Sequence, residues 1–188
     1  MTTPSAQLAP VTGADWPWLQ SAIQMACRSC QGWPSGPGAP GSVWTATPRV
    51  ATRKPAPAPH SIAHSRTFAL RTMHRWGEAS RADDVAAVVS ELLANAVRHA
   101  LPRARQASGS VPPWPVRLGL LHAGPYVVCA VADPSPSEPA LRQPDWLAES
   151  GRGLLVVASL SDQWGYGLAP AALGKVVWAA FASASGRP

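Results

Sequence analysis

The run Ala82-Asp-Asp-Val-Ala-Ala-Val-Val-Ser-Glu-Leu-Leu-Ala-Asn-Ala-Val-Arg-His-Ala100 leaves this chain little choice of local structure. Val85, Val89, Leu92 and Ala96 recur at steps of 4, 3 and 4, which draws one apolar stripe down a helix. Asp83 and Asp84 stand near its start, where carboxylates suit the helix dipole. Pro102 follows its end. A helix with one apolar stripe must bury that stripe against another layer. The rest of the chain therefore has to supply an apolar sheet or further helices.

It supplies both. Ile62, Phe68, Leu70, Met73 and Trp76 fall near helical spacing from Ser61 up to Gly77, a natural C-terminal stop. Val116 to His122 and Tyr126 to Ala132 are two strand-like runs separated by Ala-Gly-Pro, which predicts a hairpin. Residues 133–150 hold four prolines and no periodicity, the mark of a long loop of the kind that serves as a lid. Gly153 to Leu160 reads as a helix. Gln163 to Leu168 and Lys175 to Ala182 read as two last strands. This order implies an α/β fold: a two-layer α/β sandwich, with a mixed sheet covered by helices on one face.

The first third differs in kind. Pro and Gly recur through Trp33-Pro-Ser-Gly-Pro-Gly-Ala-Pro-Gly41 and Pro55-Ala-Pro-Ala-Pro59, favouring extended polyproline-like chain. Residues 1–60 are read as a poorly ordered extension, with a helical patch from Trp16 to Met25 and an edge strand over 42–50. The domain proper is expected over 61–184. Four of the nine Trp fall in the extension, which gives it apolar surface to place against something.

Charge argues against a nucleic-acid partner. The net charge of +6 and pI near 10 point that way at first. Yet residues 1–60 carry Arg28, Arg49, Arg53 and Lys54 against Asp15, and the remaining excess is spread over 61–188 with no dense run. Cys27 and Cys30 form a C-x-x-C without the second ligand pair a zinc site needs. Cys129 sits in a strand-like apolar run. No stretch approaches the roughly 20 apolar residues of a membrane span, and no charged segment followed by an apolar run opens the chain. The expected setting is cytoplasmic.

The candidate chemistry starts on the long helix. At about 100° per residue, Glu91 and Asn95 lie about 40° apart at the margin of the apolar stripe, with Arg98 and His99 nearby. Glu supplies a carboxylate that can take a proton. Asn supplies an amide oxygen suited to Mg²⁺ beside phosphates. An ordinary solvated helix face carries the same residue types. Asp133 ends a strand and opens the long loop, a position from which a carboxylate can accept from an exocyclic amine or simply form a turn before Pro134. Glu149-Ser-Gly151-Arg152-Gly153-Leu154 closes the loop and opens a helix. Glycines there let backbone N–H groups approach an anion. Gly174-Lys175-Val-Val-Trp178 begins the last strand.

Taken in order, these pieces resemble the GHKL ATPase superfamily with its Bergerat ATP-binding fold, and within it the anti-sigma-factor serine kinase branch in its single-domain actinobacterial form. Ala82 to Ala100 looks like the N box, Asp133 with Pro139 like the G1 box, and Gly151-Arg152-Gly153-Leu154 like G2. Gly174-Lys175-Val-Val-Trp178 looks like the closing strand. The resemblance implies binding of ATP with Mg²⁺. Glu91 would be the general base and Asn95 the Mg²⁺ ligand. Asp133 would read the adenine amine. Gly151, Arg152, Gly153 and Leu154 would line the phosphates under the lid 134–150. Arg98, His99 and Lys175 join the cofactor-binding set. It further implies a serine/threonine protein kinase acting on an anti-anti-sigma partner and binding a sigma factor, with room for a homodimer. Two departures stand out. The G1 box has Asp133-Pro-Ser-Pro-Ser in place of glycines, and Val176 stands where a hydroxyl residue is usual. They motivate the alternative of a non-catalytic nucleotide-binding or partner-sequestering regulator. A sensor-kinase fragment fits poorly, because residues 1–60 offer no convincing phosphoacceptor His.

Overall fold

The structure, a computed structural model, describes residues 18–19, 49–56, 58–102, 106, 116–123, 125–139, 152–168 and 174–183. Strand β1 spans Arg49–Arg53, helix α1 His60–Trp76 and helix α2 Ala82–Asn95, with a 3-10 turn Ala79–Arg81 between the helices. A π turn, Ala96–Ala100, continues α2. Strands β2 (Arg117–Ala123) and β3 (Tyr126–Asp133) form the expected hairpin. Helix α3 spans Gly153–Leu160, followed by β4 (Gln163–Leu168) and β5 (Lys175–Ala182). The strand predicted over 42–50 is described as Arg49–Arg53; 42–48 lie outside the described residues.

The sheet order is β1-β2-β3-β5-β4, and every neighbouring pair is antiparallel. The mixed sheet expected from the sequence is thus corrected. β3 and β4 do run in the same direction, joined through α3. However, β5 inserts between them and pairs with both, so no parallel ladder forms.

Helix α1 stops where Gly77 takes a left-handed φ of 83°. There the Gly77 N–H bonds to the His74 carbonyl and the Glu78 N–H to the Met73 carbonyl, the pattern that satisfies terminal carbonyls. Arg49 Nη1 donates to the Trp76 carbonyl at 2.9 Å, tying edge strand β1 to this helix end. On α2 the predicted stripe of Val85, Val89, Leu92 and Ala96 is buried, widened by Val88 and Leu93. It packs with Leu118, Leu120, Val127, Cys129, Val131, Val177, Ala179 and Phe181, one face of the sheet. Each such Val or Leu is worth roughly 1.5–3 kcal/mol of burial. Burial pushes the Cys129 thiol up to about 12, so it packs as an inert apolar group. Cys27 and Cys30 lie outside the described residues.

The rear face of the sheet is closed as well. Leu121, Val128, Ala130, Ala132, Val176, Trp178 and Ala180 are all buried. Trp18 and Leu19, from the first third of the chain, are buried against it. A Cβ at Gly119 would meet Leu19 Cδ1 at 2.8 Å and Trp18 Cη2 at 3.1 Å. On the same register row, a Cβ at Gly165 would lie 2.6 Å from the Trp178 ring. Two glycines thus make room for two indoles across the back of the sheet.

At the sheet end where β5 finishes, Glu78 is buried. It accepts a hydrogen bond from the Ser183 hydroxyl and lies 3.4 Å from His122 Nε2. His122 stacks on Trp76 with ring centroids 6.0 Å apart. Burial holds the His122 imidazole below its usual range, with Glu78 opposing the shift and Arg49 reinforcing it. Among the described residues, no helix is long and apolar enough to cross a membrane.

Candidate functional site

Burial of the α2 stripe decides where Glu91 and Asn95 go. With Leu92 and Leu93 pinned in the core, both polar residues are left half-buried at the edge of the helix. α3 packs against that edge and opens with Gly153. A Cβ at Gly153 would stand 2.7 Å from Glu91 Oε2 and 3.4 Å from both amide atoms of Asn95. The glycine backbone therefore lies against a carboxylate and an amide, at a helix start whose N-cap Arg152 provides no side-chain cap. Three residues separated by up to 62 positions in the chain are brought together here. Arg152 is exposed and Leu154 buried. Gly151 lies outside the described residues, as does the loop from 140 to 150.

The hydrogen-bond pattern widens directly after Asn95. Ala96–Ala100 forms a π turn rather than a further α turn, so simple 100° periodicity no longer sets the directions of Arg98 and His99. Both are exposed. π turns inside helices are frequent at functional sites.

A second cluster forms at the other end of the loop. Asp133, the last residue of β3, pairs in register with Lys175, the first of β5. Both side chains are buried, with Asp133 3% and Lys175 7% exposed. Lys175 Nζ donates to Asp133 Oδ1 at 2.8 Å and to the Ser135 carbonyl at 3.0 Å. The Ser135 N–H donates to the same Oδ1 at 2.9 Å. Burial pushes the Asp133 carboxyl above its ordinary range, while the Lys175 charge and hydrogen bond and the Ser135 N–H pull it back. Gly174 makes this join possible. Its φ is +70°, and a Cβ there would stand 2.4 Å from the Pro134 carbonyl carbon. Neither Ser135 nor Gly174 belongs to the residues the sequence singles out for the site. The available signal was a Gly-Lys opening an apolar strand opposite an Asp closing one. Val176, where a hydroxyl was looked for, pairs with Ala132 and is buried on the rear face. The side chain that strand alternation turns toward Asp133 is Lys175.

The loop that leaves the Asp133 cluster returns at Arg152 to the Glu91–Asn95–Gly153 cluster. One end offers a buried acceptor for an amine. The other offers hard oxygen donors beside a close backbone approach. Among the described residues, no group of three His, Cys, Asp or Glu could hold a metal by protein ligands alone. The Glu91 carboxylate and Asn95 amide oxygen instead fit a cation that keeps waters and shares phosphate oxygens, as Mg²⁺ does.

A sequence model of the histidine kinase-like ATPase domain family matches residues 56–181. Among solved structures, the chain resembles the crystal structure of the RsbU and RsbW domains of Rv1364c from Mycobacterium tuberculosis, with a TM-score of 0.52 and 16% identity. The match covers 74% of this chain and 33% of that one, so the chain spans about a third of that structure's length. At this identity the likeness is one of fold. No curated protein sequence matches the chain significantly.

Proposed function

The chain belongs to the histidine kinase-like ATPase domain family, an ATP-binding family, and from that premise we propose that it binds Mg·ATP between α2, α3 and the β3–β5 strand ends, as a cytoplasmic regulator of the anti-sigma-factor kinase type. The observation that carries this reading is Gly153. Its missing side chain leaves the backbone beside Glu91 Oε2 and Asn95, where a phosphate and its cation need both close N–H groups and hard oxygens. Asp133, at the opposite end of the loop, accepts from the adenine amine. Asn95 would hold Mg²⁺, which would supply charge neutralisation at the phosphates. Arg152, Gly153 and Leu154 line the phosphate side.

Phosphoryl transfer extends the reading. Glu91 takes the proton of an attacking serine or threonine hydroxyl on an anti-anti-sigma partner. The hydroxyl oxygen bonds to the γ-phosphorus, and ADP leaves. Titration with ATP and Mg²⁺ tests the nucleotide site: wild type should bind and Asn95→Ala should lose about tenfold or more. Equal binding by both, or by neither, would remove the basis for the site. Transfer of label from γ-labelled ATP to the cognate partner tests the chemistry.

A second reading has its own observation. The segment after Asp133 holds Pro134 and Pro136 and is braced by Ser135 N–H to Asp133 and by Ser137 N–H to Ser135 Oγ at 3.3 Å. A braced loop favours a nucleotide-binding regulator that sequesters its partner without turnover. In that case Glu91→Ala should leave regulation in the cell unchanged.

A further inference from the structure

Asp133 has four lone-pair sites on two oxygens, and the protein uses them unevenly. Oδ1 takes both protein donors, Lys175 Nζ and the Ser135 N–H. Oδ2 takes no hydrogen bond from the described residues. Lys175 spends two of its three donors within the same turn, on Asp133 and on the Ser135 carbonyl. The charged group that meets Asp133 is this ammonium from β5. On β2, Arg117 pairs with Ala132, one position earlier and on the other face. Glu138, further along the loop, faces the Tyr166 hydroxyl of β4. On α2, Glu91 lies against Gly153.

We infer that Lys175 is a positioning and specificity-determining residue, which fixes Asp133 as an ionised acceptor with Oδ2 left for the exocyclic amine of adenine, and thereby discriminates against guanine. The inference rests on the reading of this site as the ATP site. Its chemistry is simple. Adenine presents an amine donor at position 6, where guanine presents a carbonyl acceptor. An ionised carboxylate accepts only, so it favours the first and repels the second. A protonated carboxyl also carries a donor, and that donor suits guanine. A buried carboxylate without a partner protonates readily. The ammonium 2.8 Å away opposes this, and occupying Oδ1 stops the group from rotating its charge away from the ligand. A hydroxyl in this role would orient the carboxylate without compensating its charge.

The test is titration of the purified full chain with Mg·ATP and with Mg·GTP, for wild type, Lys175→Met, Lys175→Gln and Asp133→Asn, from pH 5 to 8. Lys175→Met should lose about tenfold or more in ATP affinity and bring the ATP-to-GTP ratio toward one. Its ATP binding should also weaken as pH falls, and at a higher pH than in wild type. Lys175→Gln keeps a donor but not the charge. It should bind ATP at pH 8 and lose the preference at pH 5, and it carries the test should Lys175→Met fail to fold. A purely structural lysine would lower stability without moving the ratio. An unchanged ATP-to-GTP ratio at pH 5 in either folded Lys175 variant overturns the inference. If Asp133→Asn also binds ATP like wild type, the reading of the site itself fails. If Asp133→Asn loses the preference while the Lys175 variants keep it, the inference alone fails.

Discussion

The two ends of the candidate site are built on opposite principles. At the Glu91–Asn95–Gly153 end the polar groups are half-exposed, and space comes from a missing side chain. At the Asp133–Lys175 end the charges are buried and already paired before any ligand arrives. The first end suits a ligand that brings its own charge and cation, because water can leave and return at low cost. The second suits a small neutral edge of a base, which demands a fixed acceptor and tolerates no competing water. Removing one partner of a buried pair typically costs about 3–5 kcal/mol, so the base end is tied to folding. The phosphate end, sitting outside the core, is free to serve function alone.

That contrast can be broken by substitution. The largest expected effect is chemical: Glu91→Gln should cut phosphoryl transfer by about 10²- to 10⁴-fold, with Mg·ATP affinity within about threefold of wild type. Single-turnover assays with the partner would show it, and a matching loss of affinity would mean that Glu91 holds the ligand rather than the proton. Next comes Gly174→Ala at the base end. Left-handed backbone and overlap with Pro134 should together cost roughly 3 kcal/mol or more in urea unfolding. The counterpart at the phosphate end, Gly153→Ala, should leave stability within about 0.5 kcal/mol, since alanine suits a helix start and only the tip of Glu91 must move. It should still weaken ATP binding about tenfold. Comparable stability losses in the two glycine variants would erase the distinction between the ends.

The smallest effect lies away from both ends. His122 is held below its ordinary value of 6.5, first by burial, so the unfolded chain binds its proton more readily than the folded one. Stability therefore falls as pH drops below 6.5 toward the lower folded value. Melting temperatures from pH 8 to 5 should show this component in wild type and lack it in His122→Gln. An identical slope in both would assign the acid sensitivity to another group.

The elements were legible in the sequence because their signals are local. Helix α2 follows from Val85, Val89, Leu92 and Ala96, the end of α1 from Gly77, and the β2–β3 hairpin from two strand-like apolar runs separated by Ala-Gly-Pro. Glu91 and Asn95 were legible for the same reason, being four residues apart on one helix. The π turn was not, since its wider winding leaves no mark in residue spacing. The antiparallel sheet was not, because strand insertion is a choice among partners far apart in the chain.

Residue types and periodicity thus determined which segments are helices and strands, and which polar groups stand at helix edges and strand ends, since these follow from neighbouring positions. Tertiary structure alone decided that β5 would separate β3 from β4 and that Gly153 would close on Glu91 and Asn95. It also set Trp18 and Leu19 against Gly119, and Lys175 rather than Val176 beside Asp133. Each of these depends on register and face across long separations. A shift of one residue would turn Val176 toward Asp133 and Lys175 away. Only the packed core of both sheet faces prevents that shift.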